Sequence, residues 1–142
     1  MQYEKYAYVA QEKKEWREAI FYAGKILESC PDSMNHVALK IESMISSSPS
    51  DMTDAIRFTT QIQEKFIDQS LFLFWRGRVL IYNGQLDMGK KHMRQALNVD
   101  PDNKMIAKFW KSMTTMEKIK DQANEEIKLY NFDAALSSTT RA

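Results

Sequence analysis

The sequence predicts an all-α protein built of stacked helical hairpins, on three observations. Helix breakers are scarce, since the 142 residues include only three prolines and four glycines, and none of either follows Pro101. Long stretches without breakers favour helix. Apolar residues recur three and four positions apart, which is the spacing of one helical face. Small residues recur at longer intervals, where two helix backbones would have to approach closely.

Four apolar stripes predict the first two hairpins. In the first hairpin the stripes are Tyr3, Tyr6, Ala7 and Ala10, then Trp16, Ala19, Ile20, Ala23, Ile26 and Leu27. In the second they are Val37, Leu39, Ile41, Met44 and Ile45, then Met52, Ala55, Ile56, Thr59, Ile62 and Phe66. A Ser-Pro loop at residues 46–50 separates the second pair. We expect Ser50 or Asp51 to cap the following helix by accepting backbone N–H bonds.

A third hairpin and a long helix follow. The third hairpin covers residues 70–83 and 86–99, with Asn83-Gly84 as its turn. After Pro101, one continuous apolar stripe runs from Ile106 to Tyr130. At 1.5 Å per residue this predicts a helix of about 40 Å, unless it bends at Thr114-Thr115. We expect a turn at Asn131-Phe132 and a last, short helix after it.

The small residues define the repeat. Equivalent positions carry Ala19, Ala55, Gly89 and Ala135, at spacings of 36, 34 and 46 residues. The long helix accounts for the larger last spacing. The whole chain, 1–142, is therefore predicted to be one repeat domain. Its units are about 1–33, 34–69 and 70–103, then a connecting helix at 104–130 that runs into a truncated unit ending at 142.

The third unit fits a known repeat pattern. Gly77, Gly84, Leu86, Ala96 and Pro101 match positions 8, 15, 17, 27 and 32 of the tetratricopeptide repeat. Small residues at these positions let paired helices approach, and Pro101 closes the unit. Repeats of this kind stack into a right-handed superhelix whose concave groove is lined by the first helix of each pair. We expect that architecture here.

The segment from Leu73 to Ala135 resembles one group of such proteins. Its Arg76-Gly77 pair, its Pro101-Asp102 pair, the long helix and the Ala-Asn-x-x-Ile-x-x-x-Asn-Phe-x-x-Ala run at 123–135 look like the middle of co-chaperones of the DnaJ homolog subfamily C member 7 class. These have several tetratricopeptide repeats and then a J domain, whose His-Pro-Asp loop is absent here. The resemblance implies a scaffold that binds heat-shock chaperones of the seventy- and ninety-kilodalton classes or their clients, and we expect a fragment of a longer protein.

The resemblance also implies a peptide site. Family members often clamp a peptide's C-terminal carboxylates with Lys and Asn at positions 5 and 9, which Lys120 and Asn124 match in the last unit. A cation and an amide donor one turn apart suit a carboxylate. In the first unit these positions hold Glu4 and Tyr8, and the partner helices of the last unit would lie beyond 142. The alternative is an exposed lysine and an asparagine that bonds to a neighbouring hairpin.

A second candidate surface is the groove of the first three units. There the repeat pattern places three aromatic rings, one cation and one aliphatic side chain. These are Tyr8 of the first unit and Phe74, Arg78, Ile81 and Tyr82 of the third. Such a surface suits an apolar or aromatic peptide, or a partner helix. The alternative is that the Tyr and Phe side chains are half-buried packing residues.

Composition narrows the remaining classes. The net charge of +1 gives no global attraction to nucleic acid or to an anionic membrane, and a basic cluster at residues 76–94 is better explained as a solvated face than as an RNA site. No apolar segment has the length of a membrane helix. Cys30 is the only cysteine, and His36 and His92 stand alone, so we expect no metal, no cofactor and no enzymatic activity. A soluble, cytoplasmic protein fits these features.

Two functional hypotheses remain. The first is a chaperone-linked interaction scaffold. The second is a structural adaptor subunit of a larger assembly, in which the groove holds a partner's helix permanently. RNA binding by helical repeats is a third class, and it would require an affinity that falls steeply with salt.

Overall fold

The fold is all-α, as predicted. The structure is a computed structural model that describes the backbone of residues 2–140 and the side chains of residues 2–129. Within these residues there are seven helices and no strand: α1 (Gln2–Glu12), α2 (Trp16–Ser29), α3 (Met34–Ser47), α4 (Thr53–Phe66), α5 (Ser70–Tyr82), α6 (Leu86–Val99) and α7 (Lys104–Thr140). The chain divides into two compact units, residues 1–103 with α1–α6 and residues 104–142 with α7.

In the first unit, the helices pack in chain order. Each helix from α1 to α6 packs against the next one, and α3 also packs against α5. Prolines set several helix ends. Three helices end two residues before Pro31, Pro49 and Pro101, because proline has no N–H to donate and restricts the residue before it. The predicted breakers therefore act where they were expected.

Two of the connections are the same tight turn. In the α1–α2 turn, Lys14 has a φ of 58° and Glu15 N–H donates to Ala10 O at 2.8 Å. In the α5–α6 turn, Gly84 has a φ of 86° and Gln85 N–H donates to Leu80 O at 2.9 Å. The left-handed residue lets the chain reverse within three residues.

In the longer connection before α4, Asp51, one position before the N-cap residue Met52, bonds to the first residue of the helix. Asp51 Oδ1 accepts a hydrogen bond from the backbone N–H of Thr53 at 3.1 Å and another from the Thr53 hydroxyl at 2.6 Å. These two hydrogen bonds lower the pKa of the Asp51 carboxyl. Asp51 therefore satisfies one of the free amides at the start of α4, as predicted from the sequence.

The core of the first unit centres on α5. Phe66 of α4 and Phe72 of α5 are fully buried, and their rings stack with centroids 6.0 Å apart. Where α5 crosses α6, a Cβ atom added at Gly77 would lie 3.2 Å from Gly89 O. A Cβ at Gly89 would overlap Ile81 and lie 2.9 Å from Gly77 O. The two glycines thus allow this close crossing.

The second unit is one helix over the described residues. α7 runs without interruption from Lys104 to Thr140, so the turn predicted at Asn131-Phe132 is wrong. Neither residue is a helix breaker, and alanines follow them. The helix also continues through Thr114, whose hydroxyl donates to Trp110 O at 3.1 Å and Lys111 O at 3.0 Å, which satisfies the hydroxyl within the helix.

Candidate functional site

The first helices of the three hairpins meet one another along one side of the first unit. α3 packs against α5, and three side-chain contacts join α1 to α3. Gln11 Nε2 donates a hydrogen bond to Glu42 Oε2 at 2.9 Å. The ring centroids of Tyr8 and His36 lie 6.1 Å apart, and Glu4 Oε1 lies 3.6 Å from His36 Nε2. The residues on the α1–α3 seam are therefore mostly polar, with Tyr8 39% exposed.

His36 anchors this seam from α3. Its ring is buried, and its Nδ1 lies 2.6 Å from the hydroxyl oxygen of Ser33, the residue before α3 begins. The Nε2 atom has no partner within hydrogen-bond distance among the described residues, and Glu4 is the acid that faces it. His36 therefore connects the start of α3 to Glu4 and Tyr8 of α1.

α5 carries a stripe of Phe74, Arg78 and Tyr82, spaced four residues apart. The guanidinium carbon of Arg78 lies 5.7 Å from the Phe74 ring centroid, 4.8 Å from that of Trp75 and 5.6 Å from that of Tyr82. Arg78 Nη2 also donates to the Tyr82 hydroxyl at 3.1 Å. The cation is held against aromatic faces, where each contact contributes about 0.5–1 kcal/mol at a partly exposed site.

The predicted groove residues differ in their exposure. Tyr82 is 45% exposed and Arg78 is half-buried, whereas Phe74 is only 1% exposed and belongs to the core. Ile81 is half-buried and lies over Gly89 of α6. Tyr8, Arg78 and Tyr82 therefore offer atoms to a ligand, while Phe74 and Ile81 support the surface from beneath.

The predicted clamp pair lies in the second unit. Lys120 and Asn124 are exposed on α7, one helical turn apart. Both could reach a bound carboxylate from the same side of the helix.

Sequence reasoning missed one buried cation, Arg76, and one half-buried cation, Lys40. Arg76 is 8% exposed, and its Nη1 donates to Thr59 Oγ1 at 2.6 Å. The Lys40 ammonium lies 4.2 Å from the centroid of the Phe58 ring. Burial lowers the pKa of both cations. The burial of Arg76 could have been predicted from its place inside the apolar run Leu-Phe-Leu-Phe-Trp-Arg-Gly, where a solvated arginine is not expected.

Other kinds of site find little support among the described residues. One small pocket of about 150 Å³ lies between α2, α3 and α4, which is below the size of an ordinary small-molecule site. Over the same residues, no group of three or more His, Cys, Asp or Glu side chains is placed to hold a metal ion. None of the described helices combines the length and the apolar character that crossing a bilayer requires.

Comparison with known proteins adds no family. No protein-family model matches the chain, and no curated protein matches it.

Proposed function

We propose that this chain is a protein–protein interaction scaffold, and that its hairpins stack as tetratricopeptide units in a right-handed superhelix. The packing of each helix against the next, with α3 also against α5, supports this architecture. So do the small residues at the helix crossings, since Ala7, Ala19 and Ala23 are fully buried in the first hairpin as Gly77 and Gly89 are enclosed in the third.

The binding surface of this proposal is the side formed by α1, α3 and α5. The observation that carries it is the direct contact of α1 with α3 and of α3 with α5, together with exposed tyrosines on the two outer helices. Tyr8 and Tyr82 offer rings and hydroxyls, and Arg78 offers a cation already ordered by its aromatic neighbours. Ordered aromatic and arginine side chains are common binding hot spots. The occupant is a peptide segment or helix with apolar side chains. The role is binding, without a catalytic step.

Selection from a displayed peptide library tests this surface. Peptides enriched on the wild-type chain should lose about tenfold or more in affinity with Tyr8→Ala or Tyr82→Ala. The matched control is Phe21→Ala, which removes an exposed ring from α2 and should leave the affinity unchanged. Enriched peptides that respond only to Phe21→Ala, or a selection that enriches nothing, would contradict the proposal.

The link to chaperones rests on the resemblance to DnaJ-type co-chaperones. The resemblance implies that Lys120 and Asn124 belong to a carboxylate clamp. It also implies that the partners are heat-shock chaperones of the seventy- and ninety-kilodalton classes and that the protein acts in the cytoplasm. Full-length protein is titrated with a peptide that ends in acidic residues and a free carboxylate. We expect salt-sensitive binding that is lost with Lys120→Ala and kept with the control Lys128→Ala. Equal binding of an amidated peptide contradicts the clamp.

A structural adaptor subunit is the second candidate. It is favoured by exposed rings on α1 and α2, where Tyr3, Tyr6 and Phe21 surround the half-buried Tyr22. Clustered exposed rings mark sites of lasting protein contact. An adaptor copurifies with one partner through gel filtration and selects no free peptides. A scaffold for exchangeable peptides selects free peptides and does not copurify with a single partner.

A further inference from the structure

Arg76 is a nearly buried cation that has no anionic partner among the residues the structure describes. Its described hydrogen bonds go only to two hydroxyls, Thr59 Oγ1 at 2.6 Å and Thr60 Oγ1 at 3.3 Å. Its Nε is buried without a partner, and no described carboxylate forms an ion pair with it. A buried charge is costly unless it is paired. The site is therefore short of one negative charge.

The neighbouring helix supplies no anion to Arg76 among the described residues. Burial lowers the pKa of His92 on α6, and the positive charges of Arg76 and Lys91 lower it further. The buried Thr59 hydroxyl already donates within α4, to Ala55 O at 2.9 Å or to Ile56 O at 3.1 Å. Thr60, by contrast, is exposed. Thr60 is the one hydroxyl here that is both within reach of Arg76 and open to solvent.

We propose that Thr60 is a phosphorylation site and that Arg76 binds the phosphate, forming a latch between α4 and α5. A protein kinase would transfer the γ-phosphoryl group of ATP to Thr60. The new bond joins phosphorus to Oγ1, the bond to the ADP oxygen breaks, and the hydroxyl proton leaves to the kinase's base. The phosphate carries a charge of about −1.5 to −2 and three acceptor oxygens. Arg76 Nη1 already lies beside the atom that would carry it.

The sequence and packing of α4 suit this modification. Arg57 precedes Thr60 by three residues and is exposed, so a kinase that reads a basic residue at that spacing could select the site. α4 packs less extensively on its neighbours than α1 packs on α2 or α5 on α6, and lightly packed helices open locally at low cost. Glu64, one turn further on, opposes the phosphate from an exposed position where charges are well screened.

The latch would join two hairpins. α4 ends the second hairpin and α5 begins the third, so a phosphate held by Arg76 would stabilise their packing. The modification therefore regulates the stacking of the units, and it does so whether or not the α1–α3–α5 side binds peptides.

Two experiments on the full chain test the latch. The first is site mapping by mass spectrometry of protein from phosphatase-inhibited cells of the source organism, in which phosphate is expected on Thr60 and reduced about tenfold by Arg57→Ala. The second compares chains with genetically encoded phosphothreonine at position 60 and phosphoserine at position 61. Phosphate at 60 should raise Tm by about 2–4 °C. Phosphate at the exposed position 61 should not, and Arg76→Met should abolish the gain.

A phosphorus NMR titration remains informative if Arg76→Met does not fold. Bound by Arg76, the phosphate of folded protein should titrate below its usual second pKa of about 6, and urea should restore the usual value. An unshifted titration in folded protein, an equal Tm change from positions 60 and 61, or an unmodified Thr60 in the mapped protein would each overturn the proposal.

Discussion

The hairpins α1–α2 and α5–α6 share one backbone plan and differ in what they bury. Equivalent residues lie 70 positions apart: Ala7 and Gly77, Lys14 and Gly84, Ala19 and Gly89, Tyr22 and His92, Pro31 and Pro101. Both have the same three-residue turn with the same hydrogen bonds. Yet the α5–α6 hairpin contains the large buried rings, while several rings of α1–α2 are exposed. Small crossing residues and the turn define the hairpin, and neighbouring helices decide which side chains become core.

Tyr6 and Arg76, at equivalent positions of the two hairpins, show how neighbouring helices determine burial. Tyr6 is exposed on α1, which follows no described helix. Arg76 occupies the same place on α5 and is buried, because α4 lies against α5 and supplies Thr59 and Thr60 as hydrogen-bond acceptors. The residue type alone would have suggested the opposite. Burial here is therefore set by position in the stack and not by polarity.

The largest difference between the hairpins should come from their phenylalanines. Phe72→Ala removes a fully buried ring stacked on Phe66 and should lower the free energy of unfolding by about 3–5 kcal/mol. Phe21→Ala removes a ring that is 56% exposed and should cost less than about 1 kcal/mol. Urea unfolding of both variants measures this. Similar costs for the two would contradict the assignment of the core to α5.

Exchanging the crossing residues should destabilise both hairpins, for different reasons. Gly89→Ala places a methyl group against Ile81 and Gly77 O, and the strain should exceed the gain in helix propensity, for a net loss of about 1–2 kcal/mol. Ala19→Gly should lose about 1–2 kcal/mol, through lower helix propensity and the loss of a fully buried methyl group. Urea midpoints give both values. A stabilising Gly89→Ala would show that the α5–α6 crossing is wider than described.

The turns should respond in opposite directions. Gly84→Ala forces a side chain into a left-handed conformation with open space around it, so it should cost about 1 kcal/mol through backbone strain. Lys14→Gly should relieve the same strain at the equivalent turn and stabilise the chain by a few tenths to about 1 kcal/mol. Thermal unfolding of the two variants tests this. If both substitutions changed the stability in the same direction, the two turns would not share one left-handed conformation.

The smallest effect concerns pH. Burial, with smaller contributions from the charges of Arg76 and Lys91, lowers the pKa of His92 from 6.5. Below pH 6.5 the unfolded chain binds this proton more readily than the folded chain, so the stability that neutral His92 provides is present above that pH and is lost as pH falls through the folded pKa. His92→Gln should flatten this fall. His36 is present in both proteins, so the difference in urea midpoints isolates His92. Parallel pH profiles would contradict the shift.

The sequence predicted the helices well and individual side chains less well. Apolar periodicity and the prolines place the helices and their ends, because these are local properties of the chain. The burial of Phe74 and Arg76 depends on partners from other helices, which periodicity does not identify. The left-handed Lys14 was missed, since a lysine gives no sign of that conformation. The turn expected at Asn131-Phe132 came from matching a repeat pattern, and no local breaker supports it.

NMR mapping of a library-selected peptide on the isotope-labelled chain would locate the binding surface residue by residue. The amide and side-chain resonances that shift on binding should belong to α1, α3 and α5, with Tyr8, Arg78 and Tyr82 among the largest changes. Shifts confined to α2, α4 and α6 would contradict the claim that the first helices of the hairpins form the binding surface.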